Sequence, residues 1–118
     1  MIRAIDIQAT AMSEDALQTH VITAARTFGW RATHFRPART GRKDAKGREI
    51  WTTPLQGDSG FPDLVLARNG RVLCVELKSH RGRPDENQKL WAQEMGESYR
   101  LWRPLDWLTG VIEKELMP

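Results

Sequence analysis

The chain has 118 residues, of which 40% are hydrophobic, so it is long enough for one compact domain and too short for two. Its formal charge of +3 is a mild basic bias that fits an acidic partner but does not require one. The chain has one cysteine, Cys74, which excludes an internal disulfide and a cysteine-based zinc site. No stretch approaches the ~20 apolar residues of a membrane span, which excludes a transmembrane helix. We therefore expect a cytoplasmic protein without a membrane partner.

The first predicted helix follows residues 1–12, which we interpret as an N-terminal extension to a single domain over residues 13–118. Ser13 is a typical N-cap, two acids follow in the first turn, and apolar residues recur at helical spacing as far as Gly29. The next residues, "WRATHFRP", alternate large with small or polar side chains and predict a half-buried strand that ends at Pro37.

Residues 38–60 are rich in Gly, Arg, Lys, Asp and Thr and show no period, which predicts a long loop with a short strand near 50–52. Between Arg26 and Arg48 there are eight Arg or Lys residues and a single acid, Asp44. Such a local excess of positive charge is typical of a surface that binds phosphates. The residues that we expect to contact a nucleic acid are Arg36, Arg39, Arg42, Lys43, Lys46, Arg48 and Trp51.

Two apolar runs, at 64–67 and 72–75, flank the pair Asn69-Gly70. Continuous apolar runs of this length predict strands covered on both faces, and Asn-Gly favours a type I′ turn, in which both central residues have positive φ. The pattern of residues 83–95 predicts a second helix, and that of residues 99–104 predicts a short strand. Residues 105–116 are predicted to form a terminal helix that is weakened by Gly110. We predict an α/β fold with a mixed four-stranded sheet centred on the hairpin, the first helix on one face and the second helix on the other.

Three charged residues are predicted to converge at the open end of this hairpin. A two-residue turn places Arg68 opposite Arg71 and, counting outward, Asp63 opposite Glu76. Opposite residues point to the same side with Cβ atoms about 4.5–5.5 Å apart, and a residue two positions further along, here Lys78, points there too. Two carboxylates this close repel each other, and a divalent cation such as Mg²⁺ would remove the conflict.

The same residues have a simpler interpretation. Asp63, Glu76 and Lys78 can be strand-end charges in solvent, with the lysine neutralising one acid. The convergence also depends on the length of the turn, because a three-residue turn would rotate Asp63 to the opposite face.

The segment "GFPDLVLARNGRVLCVELK" has the form G-x-P-D, twelve residues, E-x-K, and it resembles the PD-(D/E)XK nuclease superfamily. The following "SHRGRPDENQKLWAQEM" resembles the G-x-x-x-x-x-Q-x-x-W segment of the VRR-NUC branch, and "WRPLDW" resembles the late strand of its small stand-alone members from phages and bacteria. The first predicted helix, with its early acid, resembles the first helix of that branch. The likeness spans residues 13–108 in order and implies a restriction-endonuclease-like core.

The resemblance implies a role for each matching residue. Asp63 and Glu76 would hold Mg²⁺ or Mn²⁺ together with the main-chain carbonyl of Leu77. Lys78 would orient the attacking water or offset charge that develops on the phosphate.

Two further residues match the family and also have ordinary structural explanations. Glu14 matches the acid of the first helix and could reach the metal, but a first-turn acid is also favoured by the helix dipole. Gln88 matches the glutamine of the second helix, but with Asp85 as N-cap it also completes a capping box.

The resemblance therefore implies a metal-dependent DNA nuclease that hydrolyses phosphodiester bonds. Small members resemble resolvases, which implies a homodimer acting on branched DNA such as a Holliday junction, in a bacterial cell or a phage-infected host. One alternative is a catalytically inactive nucleic-acid-binding module with the same fold. A second alternative is a basic structural subunit that binds protein partners.

Overall fold

A computed structural model describes residues 2–35, 38–52 and 56–118 of the chain. Over these residues the elements in chain order are α1 (Ala4–Ala11), α2 (Glu14–Thr27), β1 (Arg31–His34), β2 (Ala38–Lys43), β3 (Glu49–Thr52), β4 (Leu64–Arg68), β5 (Arg71–Leu77), α3 (Glu86–Met95), β6 (Tyr99–Trp102), α4 (Pro104–Leu108) and α5 (Val111–Leu116). A 3-10 turn at Gly96–Ser98 precedes β6. No helix in these three ranges is long and apolar enough to cross a membrane.

Four strands form one mixed sheet in the order β1-β4-β5-β6. The pairs β1–β4 and β4–β5 are antiparallel, whereas β5 and β6 are parallel. The prediction of an α/β domain with a mixed four-stranded sheet and flanking helices is confirmed. The parallel pair is possible because α3 supplies the crossover between β5 and β6.

The hydrophobic core lies between one face of this sheet and the helices α2 and α5. Its central buried side chains are Leu17, Val21, Ala25, Leu64, Leu66, Leu73, Val75, Leu77, Ile112 and Leu116. Successive side chains of a strand point to opposite faces. Glu76, between Val75 and Leu77, therefore faces away from α2 and towards α3, which places the two helices on opposite faces as predicted.

The β4–β5 hairpin has the predicted turn. Asn69 has φ +50° and Gly70 has φ +82°, as a type I′ turn requires. Arg68 pairs with Arg71, and the ladder continues in the same register to Leu64 and Val75. Residues 73–77 are buried at every position, whereas β4 alternates between buried and half-buried residues.

The two ends of the chain differ from the prediction. No element was predicted for residues 4–11, which we interpreted as part of an N-terminal extension; they form α1, which packs on α4 and buries Ala9 completely. Ala9 is its one fully buried residue, Ile5 is half-buried and Ile7 is exposed, so the segment lacks the large apolar period that reveals a helix. The prediction of a single terminal helix is wrong, because Gly110 adopts φ +81° and separates α4 from α5.

The basic segment forms an antiparallel hairpin of β2 and β3 and not a long loop. The expected short strand near 50–52 is confirmed as β3, whereas β2, "ARTGRK", has no apolar alternation that would reveal a strand. Asp44 organises the turn, since its Oδ1 accepts hydrogen bonds from the backbone N–H groups of Lys46 at 2.9 Å and Arg48 at 3.0 Å. Asp44, the single acid between Arg26 and Arg48, thus has a local structural role.

Candidate active site

Asp63 and Glu76 meet at the open end of the β4–β5 hairpin. Asp63 directly precedes β4, Glu76 lies within β5, and the register of the ladder places them opposite each other. The Asp63 carboxylate accepts a hydrogen bond from the N–H of Leu77, with 2.9 Å between Oδ2 and the nitrogen. Glu76 is only 2% exposed, although it carries an ionisable group. The predicted convergence of these two acids therefore matches the geometry of the hairpin.

Gln88 connects α3 to the buried carboxyl group. Its side-chain Nε2 donates to both oxygens of Glu76, at 3.1 Å each. Its Oε1 accepts from the backbone N–H of Asp85 at 2.9 Å, and its own N–H donates to the Asp85 side chain at 2.8 Å. The capping box is confirmed, and the same side-chain amide also contacts the candidate site.

The electrostatics of Glu76 are unusual for a carboxyl group. Burial raises the pKa of Glu76 to about 9, and the hydrogen bond and negative charge of Asp63 contribute to this rise. The charge of Glu14 raises this pKa further, while the positive charge of Lys78 lowers it. In the metal-free protein Glu76 therefore keeps its proton at neutral pH, in a position to donate it to Asp63.

Lys78 and Glu14 approach the pair from two different elements. Lys78 follows the end of β5, is half-buried, and is held by its backbone N–H, which donates to the carbonyl of Trp102 at 3.1 Å. Glu14 is the exposed first residue of α2, next to the N-cap Ser13, yet its charge acts on Glu76. The structure thus brings Asp63, Glu76, Lys78, Gln88 and Glu14 into one neighbourhood, with Glu14 at its edge.

The donor set suits a hard divalent cation. Mg²⁺ is bound in proteins through one or two carboxylates and keeps several of its waters. Asp63 and Glu76 provide such a pair, and the pKa of Glu76 is raised first by burial and then by the hydrogen bond and negative charge of Asp63. No group of three or more His, Cys, Asp or Glu side chains suited to a metal occurs within the described ranges.

Gly60 positions the segment before the candidate site, a role that the sequence analysis did not assign to it. It adopts φ +91°, and a Cβ built there would lie 2.8 Å from the backbone carbon of Asn87 and 2.9 Å from the backbone nitrogen of Gln88. Its neighbour Ser59 accepts a hydrogen bond from the Trp91 indole at 3.0 Å. The segment before Asp63 is thereby held against the first turns of α3. The sequence feature that could have revealed this contact is the glycine of the G-x-P-D pattern.

The predicted nucleic-acid contacts lie on the β2–β3 hairpin, a two-stranded sheet separate from the one that carries Asp63 and Glu76. Lys43 and Lys46 are exposed there, as is Arg42. Arg48 is exposed too, but its Nε contacts Asp44 Oδ2 at 2.9 Å. Arg36 lies outside the described residues, and for Arg39 and Trp51 only the backbone is described, in which the two are paired.

Comparisons with protein-family models, with curated proteins and with solved structures find no match to this chain. The case for a function therefore rests on the residues and their geometry.

The Glu76→Gln variant should change the pH dependence of stability in the presence of a chelator. The pKa of Glu76 is higher in the folded state than in the unfolded state. Its contribution to the free energy of unfolding is therefore complete below pH ~4.5 and is lost as the pH rises towards 9. Glutamine mimics the protonated carboxyl and does not titrate. We expect the variant to match the wild type near pH 4 and to be more stable by on the order of 2 kcal/mol at pH 8, measured by chemical denaturation. The exposed Glu94→Gln is the control, and parallel curves for wild type and Glu76→Gln would contradict the assignment.

The Gly60→Ala variant should destabilise the protein by roughly 1–3 kcal/mol, because it combines backbone strain with a clash against α3. Gly57→Ala is a matched control, since Gly57 also has a positive φ, +114°, but a Cβ there would have no atom within 4 Å. The difference between the two free energies of unfolding isolates the contact with α3. Equal losses of stability in the two variants would show that this contact is unimportant.

Proposed function

We propose that this protein is a metal-dependent nuclease that hydrolyses DNA phosphodiester bonds, with a restriction-endonuclease-like core of the VRR-NUC type. The observation that carries the proposal is the pairing of the buried Glu76 with the half-buried Asp63 at the hairpin end, with Lys78 beside them. A buried carboxyl pair destabilises a fold unless something compensates it, and strongly perturbed carboxyl groups of this kind are concentrated at functional sites. A purely structural hairpin end gains nothing from this arrangement.

Each residue of the site would contribute separately to the reaction. Mg²⁺ or Mn²⁺, when bound, would supply the Lewis acid that polarises a phosphodiester and offsets its charge. Asp63 and Glu76 would hold the ion, with the carbonyl of Leu77, and Gln88 keeps the Glu76 carboxyl in one orientation. The ammonium group of Lys78 would orient the attacking water or offset charge developing on the phosphate.

Other residues of the site would act from its edge. Glu14 would add negative charge at the margin of the pair, which favours the binding of a cation. The hydrogen bond from Leu77 N–H to Asp63 keeps the aspartate carboxyl in place beside Glu76.

The exposed cations of the β2–β3 hairpin support DNA as the substrate. Contacts between such side chains and phosphates are independent of sequence, so they would position the duplex without reading its bases. A chain of this size offers limited surface to grip DNA, which favours a homodimer that places two sites on two strands. Branched DNA is the substrate class that such a dimer would suit.

Cleavage of a panel of linear, flapped and four-way DNA with Mg²⁺ or Mn²⁺ tests the reaction. Asp63→Asn keeps an oxygen acceptor for Leu77 N–H but loses the negative charge, and Lys78→Met removes the ammonium group. We expect each variant to cut at least about 100-fold more slowly, while Asp58→Asn and Lys114→Met, which alter exposed residues outside the site, keep wild-type rates. A wild type that binds DNA but cuts nothing with either metal would favour the inactive binding module.

A second experiment tests the hairpin as the DNA-binding surface. In an Asp63→Asn background with chelator, Lys43→Ala/Lys46→Ala should weaken DNA binding and reduce the slope of log Kobs against log salt by about 1.8, because each lost phosphate contact removes ~0.9. The control is the double variant Lys89→Ala/Lys114→Ala, which loses the same net charge from residues outside the hairpin. It should leave most of the salt dependence of DNA binding intact. Equal effects of the two double variants would show that binding depends on overall charge and not on the hairpin.

A further inference from the structure

Tyr99 shares a sheet face with Glu76. It is the first residue of β6, and the parallel register pairs it with Cys74, while Leu101 pairs with Glu76. Paired residues of neighbouring strands point to the same side, and so do residues two apart along a strand. The phenol of Tyr99 therefore lies on the side of the sheet that carries the carboxyl pair. Tyr99 is also the one tyrosine of the chain.

The hydroxyl of Tyr99 is buried and has no hydrogen-bond partner among the described residues. Burial raises the pKa of Tyr99 to about 12, and the charges of Glu76 and Asp63 contribute, so both acids lie near enough to act on it. A buried hydroxyl without a partner destabilises a fold, and phenylalanine would fill the same space without that penalty. The fold alone does not explain a tyrosine at this position.

We propose that Tyr99 is a positioning residue of the candidate active site, whose hydroxyl donates a hydrogen bond to Glu76, directly or through one water, when the carboxyl pair holds a divalent cation. This inference rests on the proposed metal-dependent function and adds a residue to it. A carboxylate that binds a cation is ionised and accepts at about four lone-pair positions, of which Gln88 uses two.

The proposed hydrogen bond would act on the metal through its ligand. Groups that donate to a ligating carboxylate fix its orientation, and their loss lowers metal affinity about 10-fold or more. Gln88 approaches Glu76 from α3, whereas Tyr99 approaches from β6, so the two donors would hold the carboxylate from separate elements. A cation would then be held by a carboxylate that cannot rotate.

The first test is binding of Mn²⁺ alone to the full chain, measured by titration calorimetry. We expect Tyr99→Phe to weaken Mn²⁺ binding about 10-fold, while the thermal midpoint of the metal-free variant stays level or rises. Ser98→Ala, which removes an exposed hydroxyl from the adjacent residue, is the control and should bind as the wild type does. Unchanged affinity in Tyr99→Phe would overturn the proposal.

The second test uses the wild-type protein and does not depend on the folding of a variant. Because the chain has one tyrosine, ¹³Cζ-labelled tyrosine gives one NMR resonance that reports on the Tyr99 hydroxyl. We expect this resonance to move on titration with Mg²⁺ and to stay in place in Asp63→Asn. A resonance that does not move while Mg²⁺ binds would overturn the role of Tyr99.

These outcomes separate the two proposals. A wild type that binds Mn²⁺ and cuts DNA, together with a Tyr99→Phe variant of equal affinity, would remove Tyr99 from the site and leave the nuclease assignment intact. A wild type that binds neither Mn²⁺ nor Mg²⁺ would overturn the metal-dependent function, and the role of Tyr99 with it.

Discussion

The register of the β4–β5 hairpin is the constraint on which the rest of the site depends. Two consecutive residues with positive φ, Asn69 and Gly70, close the turn, and the antiparallel ladder carries that register outward to the hairpin end. A slip of one residue would exchange the two faces of a strand and move Asp63 to the side of α2. The carboxyl pair and its contact with α3 both exist because this turn has two residues and no more.

The candidate site has a cost in stability at one carboxyl group. Glu76 occupies a position in β5 where an apolar residue would be expected, since residues 73–77 are all buried. Gln88 partly compensates by donating to both oxygens, and it does so while capping its own helix. Lys78 compensates further through its charge. The remaining penalty appears as the raised pKa of Glu76.

Local patterns predicted the elements that local physics controls. The N-cap of α2, the type I′ turn and the capping box of α3 each depend on residues within three positions of one another, and all were recognisable. The missed elements had no such signal. α1 fully buries Ala9 alone, β2 contains no large apolar residue, and the break at Gly110 was interpreted as a weak point within one helix.

The sequence by itself determined that Asp63, Glu76 and Lys78 would lie on one face at the end of a hairpin, because turn geometry and strand alternation depend on neighbouring residues only. Tertiary structure decided what surrounds them. Gln88 reaches Glu76, Tyr99 turns its hydroxyl inward, and Gly60 fits against α3 because helices and strands distant in sequence pack at particular distances. Those distances result from the packing of the whole domain, which no local pattern records.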